Sequence, residues 1–190
     1  KYIASNGKKD PFGPLIPVNK PLSVKARHQR AAQLAPLLRG MASTDRRMVG
    51  HYTDAPVVLD FLSRKKHVPL AALGTSCPDH FLRTKVRPMV LDLGPTAEWD
   101  VVVARLTKLH EEYREKYAQY YRKFAEKDSP TMRGADPLIV LIPGIGMFSF
   151  GADKKTARVA SEFYINAINV MRGAEALSTY KPIPEREKFR

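Results

Sequence analysis

The chain has 190 residues, 44% of them hydrophobic, and carries 32 Lys and Arg against 19 Asp and Glu, a net charge of +13. That length is enough to bury a core as one domain; no run approaches the roughly 18 apolar residues of a membrane span, and the first residues lack the charged, apolar and small-residue regions of a signal peptide. The positive excess suits nucleic acid, an anionic membrane surface or phosphorylated small molecules, but it is interleaved with acids from Lys8 to Arg190 and comes with no zinc-finger, RRM or KH signature, which argues against nucleic acid.

In chain order, residues 1–23 hold Gly7, Gly13 and prolines at 11, 14, 17 and 21. Their locked φ and missing N–H donors argue against regular structure, so an extended Pro-rich arm is predicted. The domain proper is expected over 24–178. From Ser23 a helical pattern places Ala31, Leu34, Leu37 and Leu38 on one face and stops at Gly40, with Pro36 predicting a kink or an end near Ala35. "RRMVGHYTD" reads as a short strand. "DAPVVLDFLSRKK" reads as a short helix capped by Asp54, with Pro56 in its first turn.

A loop around Gly74 to Pro78 then leads into alternation at His80, Leu82, Thr84 and Val86, predicting a strand, and into the apolar "MVLDL", predicting another. The clearest helix spans 98–126, where Val102, Leu106, Leu109, Tyr113, Tyr117, Tyr120 and Phe124 recur at three and four residues. At 1.5 Å per residue it extends about 40 Å. "PLIVLIP" and "GMFSFG" read as two strands, followed by a helix from Asp153 to about Leu177 with Thr156, Ala160, Phe163, Ala167, Val170, Ala174 and Leu177 on one stripe. Strands and helices alternate, which predicts an α/β layered domain with a mixed sheet flanked by helices.

Gly144-x-Gly146 directly follows an apolar run, as in a dinucleotide-binding loop. Such a loop needs a third glycine and a helix opening at the glycines, so that free N–H groups face the pyrophosphate. Here the third place is Ser149, and an apolar segment follows; the pair reads as a turn between strands.

"LGTSCPDHFLRTKVRP", 73–88, is the densest polar stretch. Gly74, Thr75 and Ser76 offer a turn with hydroxyls and backbone N–H groups. Arg83, Lys85 and Arg87 follow at alternate positions, which in a strand would share one face and suit a phosphate or carboxylate; a solvated strand face fits the same pattern. Cys77 and His80 have C-x-x-H spacing, but nothing completes a metal set, and no metal site is expected here. Asp79-His80 could orient an imidazole and Cys77 could act as a nucleophile, though neighbours in sequence do not establish geometry. The single Cys77 fits a reducing cytosol, and a soluble cytoplasmic protein is expected.

These residues carry a resemblance. "LGTSCPDHFLRTKVRP", the Tyr-rich helix and "LIPGIGMFSFGADKKTARVASEFYINAINVMRGAEA" are similar, over residues 25 to 190, to the bifunctional rhamnulose-1-phosphate aldolase/short-chain dehydrogenase family of bacterial sugar catabolism. The resemblance implies the class II aldolase/adducin fold, and zinc and NAD in a longer parent, with neither cofactor in this segment. It makes residues 179–190 a linker toward a dehydrogenase domain; the start at Lys1 and the ending "PEREKFR" likewise suggest a segment of a longer polypeptide. In that family a His-Gly at the turn between the two late strands supplies a metal ligand, whereas this chain has Pro143-Gly144. The H-x-H pair is absent too, as are G-x-x-x-G-x-G and Y-x-x-x-K, since Tyr113 precedes Tyr117 and Tyr117 precedes Tyr121.

Three functions follow as expectations. The first is an aldolase-like region supporting retro-aldol cleavage of a phosphorylated ketose such as rhamnulose-1-phosphate. The second is a non-catalytic scaffold or oligomerisation module that forms a homo-oligomer through its long helices, and the third is anion or nucleic-acid binding by the basic surface.

Overall fold

The computed structural model describes residues 2–132 and 134–189. Its centre is a hairpin of two strands, β3 (Ile139–Ile142) and β4 (Gly146–Gly151), in which every residue is buried. β1 (Val49–Thr53) pairs antiparallel with β4, and the two-residue β2 (Met89–Val90) pairs parallel with β3, giving a mixed four-stranded sheet in the order β1-β4-β3-β2. The α/β layered fold with a mixed sheet is therefore the one expected.

Side-chain alternation along β3 sends Ile139 and Leu141 to one face and Val140 and Ile142 to the other. The first face packs against α3 (Pro56–Leu62), α4 (His67–Leu73) and α7 (Lys154–Leu177), with Phe61, Leu70, Ile168 and Met171 in its core. The second packs against α2 (Val24–Met41) and α6 (Trp99–Phe124), with Leu34, Leu38, Leu106 and Phe148. A strand pair covered on both faces reads as a nearly unbroken apolar run, as "LIVLI" does.

Two helices open on a side-chain cap. Ser23 accepts from Ala26 N at the start of α2, and Asp153 accepts from Thr156 N at the start of α7. Pro36 does not end α2, because Leu34 and Leu38 on either side of it are fully buried and their packing outweighs the lost backbone bond. Asp54 does not cap α3. Ala55 occupies that place, and the Asp54 carboxylate instead receives Arg27 Nε at 3.1 Å and Nη2 at 2.8 Å.

The strand expected at 80–86 is a helix, α5 (Pro78–Thr84), packed on α7. Pro78 is pre-set for a first helical turn. His80 and Thr84, four residues apart, are buried while Leu82 is 70% exposed, so the operative period is that of a helix. The stripe expected on α7 is displaced as well. Ala157, Tyr164, Ile168 and Met171 join Ala160 and Ala167 inside, whereas Thr156, Val170 and Leu177 face outward.

The stretch expected to be an irregular arm holds a short helix, α1 (Tyr2–Asn6), and a 3-10 turn at Pro17–Asn19. It lies against the domain: Lys8 N donates to Ala176 O, and Phe12 is buried edge-on to Phe61 with ring centroids 4.9 Å apart. At the other end α8 (Glu185–Phe189) packs on α6. No helix among the described residues is long and apolar enough to cross a membrane.

The Gly144-x-Gly146 pair is a turn. Ile145 N donates to Ile142 O, with Pro143 second and Gly144 third at φ +71°, the order a type II turn requires. A Cβ on Gly144 would lie 2.4 Å from Pro95 Cγ. Gly144→Ala is therefore expected to lose at least about 1–2 kcal/mol from the backbone conformation alone, with the Pro95 clash adding to it. Gly40, in α2 with open space around its Cα, gives the opposite sign: Gly40→Ala is expected to gain about 0.5–1 kcal/mol. Urea unfolding of both variants checks the pair.

Candidate functional site

The 73–88 segment forms α4's end, the Gly74–Ser76 turn, α5 and the entry to β2. Gly74 takes φ +77°, where a Cβ would lie 2.3 Å from Val86 O and 2.7 Å from Lys188 Nζ. The carbonyls of this turn are engaged by the C-terminal segment. Lys188 Nζ donates to Leu73 O at 3.1 Å, Tyr180 OH to Gly74 O at 2.9 Å, and Ile183 N to Thr75 O at 3.2 Å. Thr75 is buried and its Oγ1 has no hydrogen-bond partner among the described residues; Ser76 is half-buried. The turn is a socket that holds residues 180–188.

Arg83, Lys85 and Arg87 do not share a face, because no strand carries them. Arg83 is exposed on the last turn of α5. Arg87 pairs with Glu185 of α8. Lys85, at φ +60° the one non-glycine residue with positive φ among those described, turns inward. Its Nζ donates to Gly134 O at 2.8 Å and Asp136 O at 2.6 Å and sits 4.4 Å from the centre of the Tyr117 ring. Burial brings the Lys85 ammonium down to about 8, although Asp136 and Asp45 favour its charge. Lys188 is brought to about 8 by burial and by the neighbouring Arg87.

Lys85 borders a polar hub that short-range patterns do not reveal. Asp136 Oδ2 accepts from Thr44 N at 2.9 Å and Thr44 Oγ1 at 2.6 Å, while Oδ1 meets His110 Nε2 at 3.1 Å and Arg114 Nη1. Burial favours the neutral acid, but the bonds from Thr44, Arg114 and His110 outweigh it and hold Asp136 below the ordinary carboxylate range. The hub ties the loop before β3 to α6 and to the loop after α2. Its partners lie 22, 26 and 92 residues from Asp136, so only tertiary folding assembles it.

Cys77, Asp79 and His80 are not brought together as a reactive set. Cys77 precedes α5 half-buried, and Asp79 faces solvent. His80 is buried: its Nε2 lies 3.2 Å from Asn166 Nδ2, its Nδ1 has no partner among the described residues, and its ring meets Phe163 edge-on. Burial lowers its pKa against the opposing pull of Asp79, which favours a neutral imidazole. Among the described residues, no group of three or more His, Cys, Asp or Glu could hold a metal ion. Pro143, at the turn where the aldolase resemblance implies a histidine ligand, has no donor atom on its side chain, so the residues present do not fit a zinc site.

The chain belongs to the family described as "Aldolase class II, second domain", whose model matches residues 29–190. It is 32% identical over 171 residues to the uncharacterized oxidoreductase YuxG of Bacillus subtilis (strain 168), an alignment that covers 90% of this chain and 25% of that protein. The chain thus spans about a quarter of the relative it matches. No solved structure matches it significantly.

Two outcomes test this description. Lys85 keeps its proton to a higher pH when unfolded than when folded, so its contribution to stability rises as pH increases from about 8 toward 10.5. Lys188 acts in the same direction. Lys85→Met should show a smaller rise than the wild type in urea midpoints measured from pH 7.5 to 9.5. Asp136→Ala removes a carboxylate that accepts from Thr44 and Arg114 and lies near Lys85, and is expected to cost about 1.5–3 kcal/mol in the same assay at pH 7.

Proposed function

We propose that this chain is the metal-free second domain of a class II aldolase-type polypeptide that also contains an oxidoreductase region, and that it supports retro-aldol cleavage of a phosphorylated ketose such as rhamnulose-1-phosphate. The observation that supports the reading is the β3–turn–β4–α7 unit, which lies inside the segment matched by the aldolase family and carries Pro143 where the resemblance implies a metal ligand. The oxidoreductase part is supported by the longer relative, an uncharacterized oxidoreductase.

Retro-aldol chemistry of this class calls for a divalent cation to polarise a carbonyl and stabilise the enediolate. In this reading other residues of the parent hold the zinc, another region holds NAD, and the present domain shapes or supports the reacting centre. The same Pro143 observation favours a second reading, a scaffold that takes part in assembly of a homo-oligomer and not in chemistry. We place the protein in the cytoplasm, in keeping with its single Cys77.

The isolated chain, purified without chelator, is expected to carry far less than one zinc per molecule by atomic emission, and to cleave no rhamnulose-1-phosphate. A polypeptide that joins it to the family's metal-binding region is expected to release aldehyde from that substrate. One tightly held zinc on the isolated chain would overturn the metal-free assignment. Aldehyde release that is unchanged when this domain is deleted would favour the scaffold.

A further inference from the structure

A cleft of about 410 Å³ opens between α6 and the outer edge of the sheet at β2. This lies within the range of about 300–1,000 Å³ occupied by small-molecule sites. Its wall is the Tyr113, Tyr117 and Tyr120 face of α6, and its floor is apolar, with Val86, Met89 and Val90. Leu91 N donates to Leu141 O, so strand alternation turns the backbone N–H and C=O of Val90 away from β3, toward the cleft side. The floor thus combines apolar surface with the outward backbone edge of β2.

The rim is where charge gathers. Arg87 Nη2 pairs with Glu185 Oε1, and Lys123 Nζ lies 3.6 Å from Glu185 Oε2, so two cations from different elements converge on one carboxylate. That carboxylate comes from α8, which is held over the end of the cleft by Phe189 against Tyr120, Tyr121 and Phe124. Lys116 lines the cleft as well and lies 3.8 Å from Glu112. Glu185 therefore occupies the position an anionic group of a ligand would take.

We propose that this cleft binds a flat aromatic molecule bearing a phosphate or sulfonate group, with its ring against Tyr117 and Tyr120 and its anion on Arg87 and Lys123 in place of Glu185. The aromatic wall and apolar floor select a flat apolar body, since tyrosine rings and apolar side chains make up most of the lining. The two converging cations select the anion, and the chain's net charge of +13 raises its local concentration. The site stands apart from the Pro143 turn and from the aldolase reading.

The test uses the whole 190-residue chain and the probe 8-anilinonaphthalene-1-sulfonate, followed by fluorescence at low salt, with near-UV circular dichroism to check that each variant is folded. The wild type is expected to bind one probe saturably. Glu185→Gln, which removes the competing carboxylate, should bind about threefold more tightly, and Arg87→Gln and Lys123→Gln about three- to fivefold more weakly. The Lys123 side chain is 65% exposed, so Lys123→Gln keeps the test decisive if Arg87→Gln fails to fold. Adenosine monophosphate should displace the probe at concentrations where inorganic phosphate does not. Absence of saturable binding, or equal affinities for wild type, Glu185→Gln and Lys123→Gln, would overturn the site. Displacement by inorganic phosphate alone at the same concentration would overturn the role of the aromatic wall.

Discussion

Complete burial of the β3–β4 hairpin is the constraint from which the remaining architecture follows. A two-stranded unit with apolar residues on both faces cannot stay in water, so both faces must be covered by helices. α3, α4 and α7 cover one and α2 with α6 the other. Small departures from an apolar strand are absorbed locally: Ser149 points toward α7 and donates its hydroxyl to Ala157 O at 2.7 Å. The turn at the end of the hairpin is held as tightly as its strands, with Gly144 against Pro95 and its carbonyl accepting from Leu22 N. That contact also sets where the N-terminal segment passes over the domain.

Part of the chain's positive charge is engaged internally. Lys85, Arg114, Lys188 and Arg27 each reach a buried or half-buried carbonyl or carboxylate and fasten one segment to another. A basic composition alone therefore overstates how much cation the surface offers. In the Arg87–Glu185–Lys123 group the entry to β2, α6 and α8 meet. The C-terminal residues matter to this arrangement because Tyr180 and Lys188 are buried against the Gly74 turn and Glu185 stands at the cleft.

Membership in the aldolase family and a proline, which has no side-chain atom able to ligate a metal, at the β3–β4 turn are compatible in physical terms. The hairpin and α7 are preserved by packing, which asks for apolar volume and a positive φ at Gly144. A metal ligand asks for a donor atom at one position and contributes nothing to that packing. A domain can therefore keep the fold while its turn carries Pro143, whose ring suits the second position of a type II turn better than histidine does.

The sequence by itself determined the layered α/β class, the paired late strands, the turn at Gly144 and the two long helices, because each rests on local chemistry repeated over many residues: unbroken apolar runs, a helical period, a capping Asp153, a Pro-Gly turn. It misled at 80–86, where four residues at alternate positions satisfied a strand while His80 and Thr84 equally satisfied a helix; short segments carry too few repeats to separate the two periods. It also placed the stripe of α7 off its buried line, since Phe163 and Val170 look like core residues and only the neighbouring sheet decides which face turns inward. The tertiary structure alone decided the partners of the charged groups. Lys85 reaches residues about fifty positions away, Asp136 draws on Thr44, His110 and Arg114, and Arg87 meets Glu185 across 98 positions. Those contacts have no periodicity to betray them, because a single hydrogen bond between distant segments leaves no local pattern in the chain.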